Sequence, residues 1–520
     1  MVHKIQEQIT IPVSRIRCIT SQIISCMPPN FLLLDLGMAI SFATIALPSL
    51  LNAKEGLSLN ENQASWFGSL SYLTQPIGAL VSGPLVDYCG RKRANFLVNI
   101  PHLLAWILMY YAWNLPSLFV ANALLGLGSG VMEAPINAYV GEICEASVRG
   151  SLCTLTQFFT AFGVFVMYSL GTVVDWRQAA LISLVVPAIS MAFVFLVPET
   201  PVWLISRGRD KDALKSLCYL RGWTKPENVK KEFDDLVEYS KKLRHCAICE
   251  NVKDGGSKSC EHWKMNALKR SIYKFRYIML SKETMRPLSL VMMYFLFFVM
   301  SGLTPIRPNM VNICGALGMS QDGKDVVLMV GVITLVTSIM VVALVKILGK
   351  RKIILSAMFG TAIFCASLSI YAKINLSESV YSFDTDTFPK EKSHLPLILF
   401  YFMAMFTGLS LPWVLLGEVF PFRSRASAQG IAAASNYIFT FLGAKTFIDL
   451  ENNLKLWGTF AVYSGFGFLG TICLYFYMPE TEGRTLEEIE EYFNKDKLKT
   501  FADDPFINFF KGCKRKKYSM

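Results

Sequence analysis

The chain has 520 residues, of which 53% are hydrophobic and 17% charged, and its mean hydropathy is +0.39. This apolar excess is more than the surface of a soluble protein of this size tolerates, so the composition requires contact with lipid. The formal net charge of +12 would suit nucleic-acid binding only on a folded soluble surface with aromatic platforms, so no nucleic-acid partner is expected.

Apolar windows of about 20 residues, enough to cross a hydrocarbon core of ~30 Å, follow one another along the chain. They begin near Phe31, Ser65, Ala94, Leu118, Ser151 and Ala179, and then near Pro287, Val326, Ile353, Leu395, Ala428 and Leu456. This pattern predicts an all-α membrane protein with twelve transmembrane helices in two six-helix halves. The predicted organisation is an N-terminal segment, a first half, a helical central loop, a second half and a tail, at residues 1–30, 31–201, 202–286, 287–478 and 479–520.

Basic residues between the predicted spans set the orientation, because Lys and Arg resist translocation and remain cytoplasmic. They follow the second span at Arg91–Arg93, recur through residues 202–286 and end the tail at 511–517. We therefore expect both termini on the cytoplasmic side of a multi-pass protein of the plasma membrane. The first thirty residues lack the apolar run and small-residue site of a cleavable signal peptide.

Three short motifs occur twice, in the same order, once in each half. They are Gly90-Arg91-Lys92-Arg93 and Gly349-Lys350-Arg351-Lys352, Glu142 before Arg149 and Glu418 before Arg425, and Pro198-Glu199-Thr200 and Pro479-Glu480-Thr481. Duplicated halves of membrane helices are typical of secondary transporters with a central site of alternating access. The repeats therefore favour a transporter.

Carboxylates and guanidiniums at helix ends can pair by charge-assisted hydrogen bonds. If they bridge neighbouring helices, they form a cytoplasmic gate that holds that side closed. The residues concerned are Asp87, Arg91, Glu142 and Arg149 in the first half, and Glu418 with Arg425 in the second. The alternative is surface ion pairing worth about 0–1 kcal/mol.

The same motifs carry a resemblance to a known family. Residues 83–92 resemble the G-x3-D-R-x-G-R-R loop of the major facilitator superfamily, and residues 139–150, 198–204, 418–425 and 479–486 resemble the sugar porter family within it. Residues 63–69 and 203–209 are most similar to insect facilitated trehalose transporters and their relatives. The resemblance covers almost the whole chain and implies the major facilitator fold and facilitated sugar transport.

The resemblance also implies roles for individual residues. Glu199 and Glu480 would dock short cytoplasmic helices onto the gate. Three positions depart from the family pattern: Tyr88 replaces an Arg, Lys346 replaces an Asp, and Val202 replaces an Arg.

A sugar site needs hydrogen-bonding groups near the bilayer midplane, where an unpaired polar group is costly. Gln157 matches the family's sugar-contacting Gln, while Trp413 could stack on a sugar ring and Asn436 could hydrogen-bond it. Helix packing is the alternative role for each. By the same register, Thr304 and Thr334 replace Asn residues of the binding site.

The seventh span departs most from the family. Phe298 and Val299 stand where paired glutamines are usual, which removes half of the polar site. Arg307 would either face a wet cavity and favour an anionic solute, or lie near the outer surface because the helix ends early. A transporter of a divergent polar or anionic solute, and a non-transporting sensor, therefore remain alternatives.

Proton symport requires a titratable group near the midplane. Asp35 is expected near the cytoplasmic end of the first span, and Ala43 occupies the position of the acid in proton-coupled sugar porters. The sequence therefore favours facilitated diffusion, with Glu133 as the acid on which a proton-driven mechanism would depend.

Few other features indicate chemistry. Among 13 cysteines, the C-x2-C…C-x-H order of Cys246, Cys249, Cys260 and His262 fits either zinc or, more simply, a reduced loop, so no metal or cofactor is expected. A Gly-rich phosphate loop and a nucleophile elbow are both absent, so the chain is not expected to be an enzyme. The sequence carries no signal for the oligomeric state.

Overall fold

The computed structural model describes residues 15–243, 282–377, 379–420, 425–482, 488 and 492–493. Within these ranges every regular element is helical, apart from two isolated β-bridges. The first half contains α1 (Arg15–Leu50), α2 (Glu61–Cys89), α3 (Arg91–Tyr111), α4 (Leu115–Val131), α5 (Glu133–Ile143), α6 (Ala146–Val173), α7 (Trp176–Ser183) and α8 (Val185–Leu196).

Three shorter helices connect the halves, namely α9 (Pro201–Ser206), α10 (Asp210–Leu220) and α11 (Pro226–Leu243). The second half contains α12 (Lys282–Met300), α13 (Leu303–Ile306), α14 (Met310–Ala316), α15 (Gly323–Leu348), α16 (Lys350–Asn375), α17 (Leu395–Gly408), α18 (Pro412–Glu418) and α19 (Arg425–Tyr477). Short 3-10 turns occupy Arg307–Asn309 and Thr385–Thr387.

The described helices make twelve spans in two sets of six. Eight helical stretches are long and apolar enough to cross a membrane by themselves, and α12 to α14 add a ninth that bends by 51°. Helices α2 and α3 have the length but a more polar composition. The long α19 holds two spans, because Lys455 interrupts it with a φ of +62°. The all-helical membrane fold expected from the sequence is confirmed.

Close backbone contact holds the first half together. Gly163 of α6 lies against the Leu34 carbonyl of α1, and a Cβ there would stand 2.0 Å from that oxygen. Gly37 of α1 lies in the same way against Thr160 of α6. Small residues permit this approach in membranes, where helix association depends on packing rather than on the hydrophobic effect. The α1–α6 pair thus forms a fixed unit.

The repeated glycine motifs lie at one end of the bundle, here called the motif end, where α2 meets α3 and α15 meets α16. Several polar contacts between the two halves lie toward the other end. There Ser65 Oγ donates to the Lys445 carbonyl at 2.9 Å, and Thr44 Oγ1 donates to the Arg307 carbonyl at 2.8 Å. The halves are therefore closed against each other at the end opposite the motifs.

The connecting helices pack on the first half at the motif end. Ser21 near the start of α1 donates to the Tyr219 carbonyl of α10 at 2.5 Å, and Ser216 donates to the Glu199 carbonyl at 2.5 Å. Helix α1 begins at Arg15, well before the predicted span start near Phe31, because its first turns lie against α10.

Candidate functional site

The first-half network at the motif end joins α3 to α5. Arg91 Nε and Nη2 both donate to Oε1 of Glu142, at 3.0 and 2.7 Å. Their side chains are 14% and 19% exposed, so the pair is largely removed from water. Charge-assisted hydrogen bonds of this kind are among the stronger polar contacts in proteins.

Glu199 completes this network by capping α3. Its carboxylate accepts from the backbone N–H groups of Arg91 at 3.0 Å and Lys92 at 3.1 Å, and from Thr200 at 3.0 Å. Free N–H groups at a helix N-terminus favour an anion. Gly90 makes the approach possible, because its φ is +91° and a Cβ would lie 2.4 Å from Glu199 Oε2. Burial raises the pKa of Glu199 above its usual range, although the backbone donors oppose that shift.

The second half repeats this geometry with a different cation. Glu480 accepts from the backbone N–H groups of Lys350 at 3.1 Å and Arg351 at 3.2 Å. Gly349 has a φ of +80°, and a Cβ there would lie 2.6 Å from Glu480 Oε2. Lys350 Nζ then contacts Glu418 at 2.6 Å and Glu482 at 2.8 Å.

The structure thus brings together Arg91, Glu142 and Glu199, and likewise Glu418 and Glu480. The Asp87 side chain is exposed and forms no ion pair within the described residues, while its main-chain carbonyl accepts from Arg207 Nη2 at 2.7 Å. The side chains of Arg149 and Arg425 lie outside the described part of the structure. Sequence reasoning did not include Lys350 among the gate residues, although Lys350 follows Gly349 just as Arg91 follows Gly90.

Part of the predicted substrate site forms a polar and aromatic cluster. Trp413 lies between Phe295 and Tyr437, with ring centroids 5.3 and 6.1 Å away. The Tyr437 hydroxyl donates to the Glu133 carboxylate across the two halves. Asn436 is 8% exposed and adjoins this pair in sequence. Glu133 is therefore next to predicted binding residues, a contact that sequence spacing did not indicate.

The remaining predicted binding residues form no hydrogen bond or ring contact with this cluster within the described part of the chain. Gln157 on α6 is exposed. Thr334 donates to the Val330 carbonyl of its own helix at 2.8 Å, and Thr304 is buried at 8% exposure. Val299 is buried, while the half-buried Phe298 packs in the same apolar cluster as Trp413. The departures of the seventh span thus place apolar groups beside the cluster.

Arg307 lies where the two halves meet. The seventh span breaks at Gly302, and its continuation carries Arg307 against α1, where its carbonyl accepts from Thr44. The guanidinium lies near the Tyr72 hydroxyl, and Pro308 packs on Gly68 of α2. The half-buried Arg307 is therefore part of the contact between the halves.

Asp35 is not near the cytoplasmic end of its span, which corrects the sequence-based expectation. Its carboxylate contacts Nδ1 of His102 near the middle of α3 and accepts from Trp106 Nε1 at 2.8 Å. All three side chains are fully buried. The expectation was wrong because α1 starts well before the apolar window. Sequence reasoning also missed His102, which follows Asn95 and Asn99 on one face of α3 at helical spacing.

The chain is similar to known transporters along most of its length. The family described as "Sugar (and other) transporter" matches residues 38–493. The facilitated trehalose transporter Tret1 of Drosophila mojavensis is 28% identical over 91% of this chain and 51% of its own, and that of Culex quinquefasciatus is 26% identical over 91% and 86%. The chain therefore spans about half the length of the first of these relatives.

Solved structures show the same fold. The major facilitator proton:xylose symporter XylE bound to 6-bromo-6-deoxy-D-glucose superposes with a TM-score of 0.64 at 18% identity, covering 92% of this chain and 99% of its own. An inward open conformation of XylE from E. coli gives 0.65 at 16% identity, covering 91% and 99%. The twelve helices thus have the major facilitator arrangement.

Proposed function

The chain belongs to the sugar transporter family, and from this premise we propose that it carries a sugar across the plasma membrane by facilitated, alternating access. The observation that supports this most is the pair of matched networks at the motif end, combined with contact between the halves at the other end. Two fixed halves that meet at one end are the parts that alternating access requires. The proposal includes cytoplasmic termini and excludes catalysis.

The networks would act as the cytoplasmic gate. Each ties the helix ends of one half together, through Arg91 and Glu142 in the first and Lys350 and Glu418 in the second. Each also docks its following segment, through Glu199 or Glu480. The two halves, each held together by its network, can approach and separate as rigid bodies when the motif end closes and opens.

The substrate would be trehalose or a hexose. Trp413 offers a ring face for the sugar, while Asn436 and Gln157 offer amides that can bond adjacent hydroxyl groups. The relatives named above are facilitated trehalose transporters, which supports both the substrate class and facilitated diffusion. Sugar must displace the Tyr437 hydroxyl from Glu133 if it is to use either group.

Radiolabelled uptake tests this proposal. Cells expressing the chain are given trehalose, glucose, polyols and organic anions, and Gln157→Ala is compared with Gln178→Ala, an exposed glutamine at the start of α7. We expect saturable sugar uptake that Gln157→Ala lowers at least about tenfold and Gln178→Ala leaves unchanged. Uptake of organic anions without uptake of sugars would mean that the substrate is an anion recognised by Arg307. Surface expression without any flux would favour a sensor.

A further inference from the structure

A cavity of about 770 Å³ opens at the motif end on the first half, away from the contact between the halves. Helices α3, α8, α9 and α10 surround it. One wall consists of apolar side chains of the membrane helices, and the other of charged side chains from the first turn of α3 and from the connecting segment. A volume of this size is typical of sites for small molecules.

The charged wall carries an excess of cations. Arg209 is paired with Asp212 at 2.7 Å, and Glu199 is held by backbone donors. Lys92, Arg93 and Lys215 also line the cavity, and within the described residues none of the three forms an ion pair. Lys92 Nζ donates to the Phe195 carbonyl at 3.4 Å and is attracted electrostatically by Glu199. The lining therefore carries four cationic side chains against the two acids, a net excess of two positive charges.

The apolar wall continues onto the lipid-facing surface. Phe195 and Leu97 line the cavity and are 70% and 36% exposed, although both belong to membrane-spanning helices. Phe96 packs edge-on against Phe195, with centroids 5.5 Å apart. Apolar side chains exposed on a span are covered by acyl chains in a bilayer. Since Lys92 and Arg93 lie in the first turn of α3, the cavity sits where acyl chains give way to headgroups.

We propose that this cavity binds the headgroup of an anionic phospholipid from the leaflet on the motif side. The phosphate would accept from Lys92, Arg93 and Lys215, while an acyl chain would lie along Phe195 and Leu97. Charge complementarity selects an anion, and the continuous apolar wall selects a lipid over a free phosphate. Trp203, also in the lining, donates to the Asp87 carbonyl at 3.3 Å. A bound lipid would thus contact the segment that Glu199 docks.

Lipid binding to the purified full chain tests the proposal. Fluorescent phosphatidylserine and phosphatidylcholine in mixed micelles are titrated against the protein, against Arg93→Gln/Lys215→Ala, and against Lys211→Ala/Lys230→Ala. The last pair removes the same charge from exposed positions on α10 and α11 that do not line the cavity. We expect phosphatidylserine affinity to fall about tenfold in the cavity variant and to change less than about twofold in the matched control.

A second variant separates lipid from free phosphate. Phe195→Ser keeps every cation and should weaken phosphatidylserine binding severalfold, whereas a phosphate site would not depend on this ring. Millimolar inorganic phosphate should not displace the lipid. Equal losses in both charge variants, equal affinity for phosphatidylcholine, or displacement by phosphate would overturn the proposal. None of these outcomes depends on sugar transport.

Discussion

The two networks at the motif end solve one packing problem with different side chains. In each half a glutamate caps the helix that follows a glycine of positive φ, at N–O distances of 3.0 to 3.2 Å. The cation differs, because Arg91 places two donors on one oxygen of Glu142 while Lys350 is shared between Glu418 and Glu482. Backbone geometry is therefore the repeated feature, while the two cations hold their carboxylates in different ways.

This comparison predicts that loss of the cap costs more than exchange of the cation. Backbone N–H groups left without a partner in a buried site cost about 1–3 kcal/mol, so Glu199→Ala should lower stability by that order and uptake at least severalfold. Glu480→Ala should do the same in the second half. Thermal unfolding and sugar uptake of both variants measure the effect, and a loss confined to one half would break the equivalence.

Reciprocal exchange of the cations should give unequal results. Arg91→Lys loses the two-donor contact with Glu142 and should cost about 1 kcal/mol with a moderate loss of uptake. Lys350→Arg should be nearly neutral, because two carboxylates already surround that position. Uptake and unfolding temperature of the two single variants, with Lys211→Arg as the reference, decide the point. Equal losses of uptake and stability in the two variants would mean that the two-donor contact of the Arg91 guanidinium has no special role.

Asp87 tests how far the first network extends. Its carboxylate is exposed and has no ion pair within the described residues, and Lys346 replaces the corresponding acid in the second half. Asp87→Asn should therefore reduce uptake less than Glu142→Gln, which removes the charge facing Arg91. A reduction as large as that of Glu142→Gln would place the Asp87 carboxylate within the gate.

The smallest expected effect concerns pH. Burial raises the pKa of Glu199 in the docked form above the ordinary value of about 4.3. As the pH falls into the range between the raised pKa of the docked form and the ordinary pKa, Glu199 takes up a proton in the docked form but not in an undocked form. Acidification therefore favours docking. Amide hydrogen exchange at Arg91 and Lys92, corrected for intrinsic rates, should show greater protection toward pH 5. The Glu199→Gln variant should show no such trend.

Much of the fold could be predicted from the sequence, because hydrophobic windows and basic loops obey rules that act locally. The twelve spans and the two halves are examples. The depth of Asp35 could not be predicted, because the helix continues from Arg15 through residues that are polar in sequence and buried against α10 in the fold. The cross-half contact of Glu133 with Tyr437 likewise joins residues that share no local pattern.

The sequence by itself determined the family, the span count and the paired glutamates, because each depends on composition or on motifs that repeat along one chain. Only the tertiary structure decided that Lys350 faces Glu418, that Asp35 contacts His102, and that four helices line a cationic cavity. These contacts join segments distant in sequence. Their geometry is set by how helices pack, which no local pattern of residues encodes.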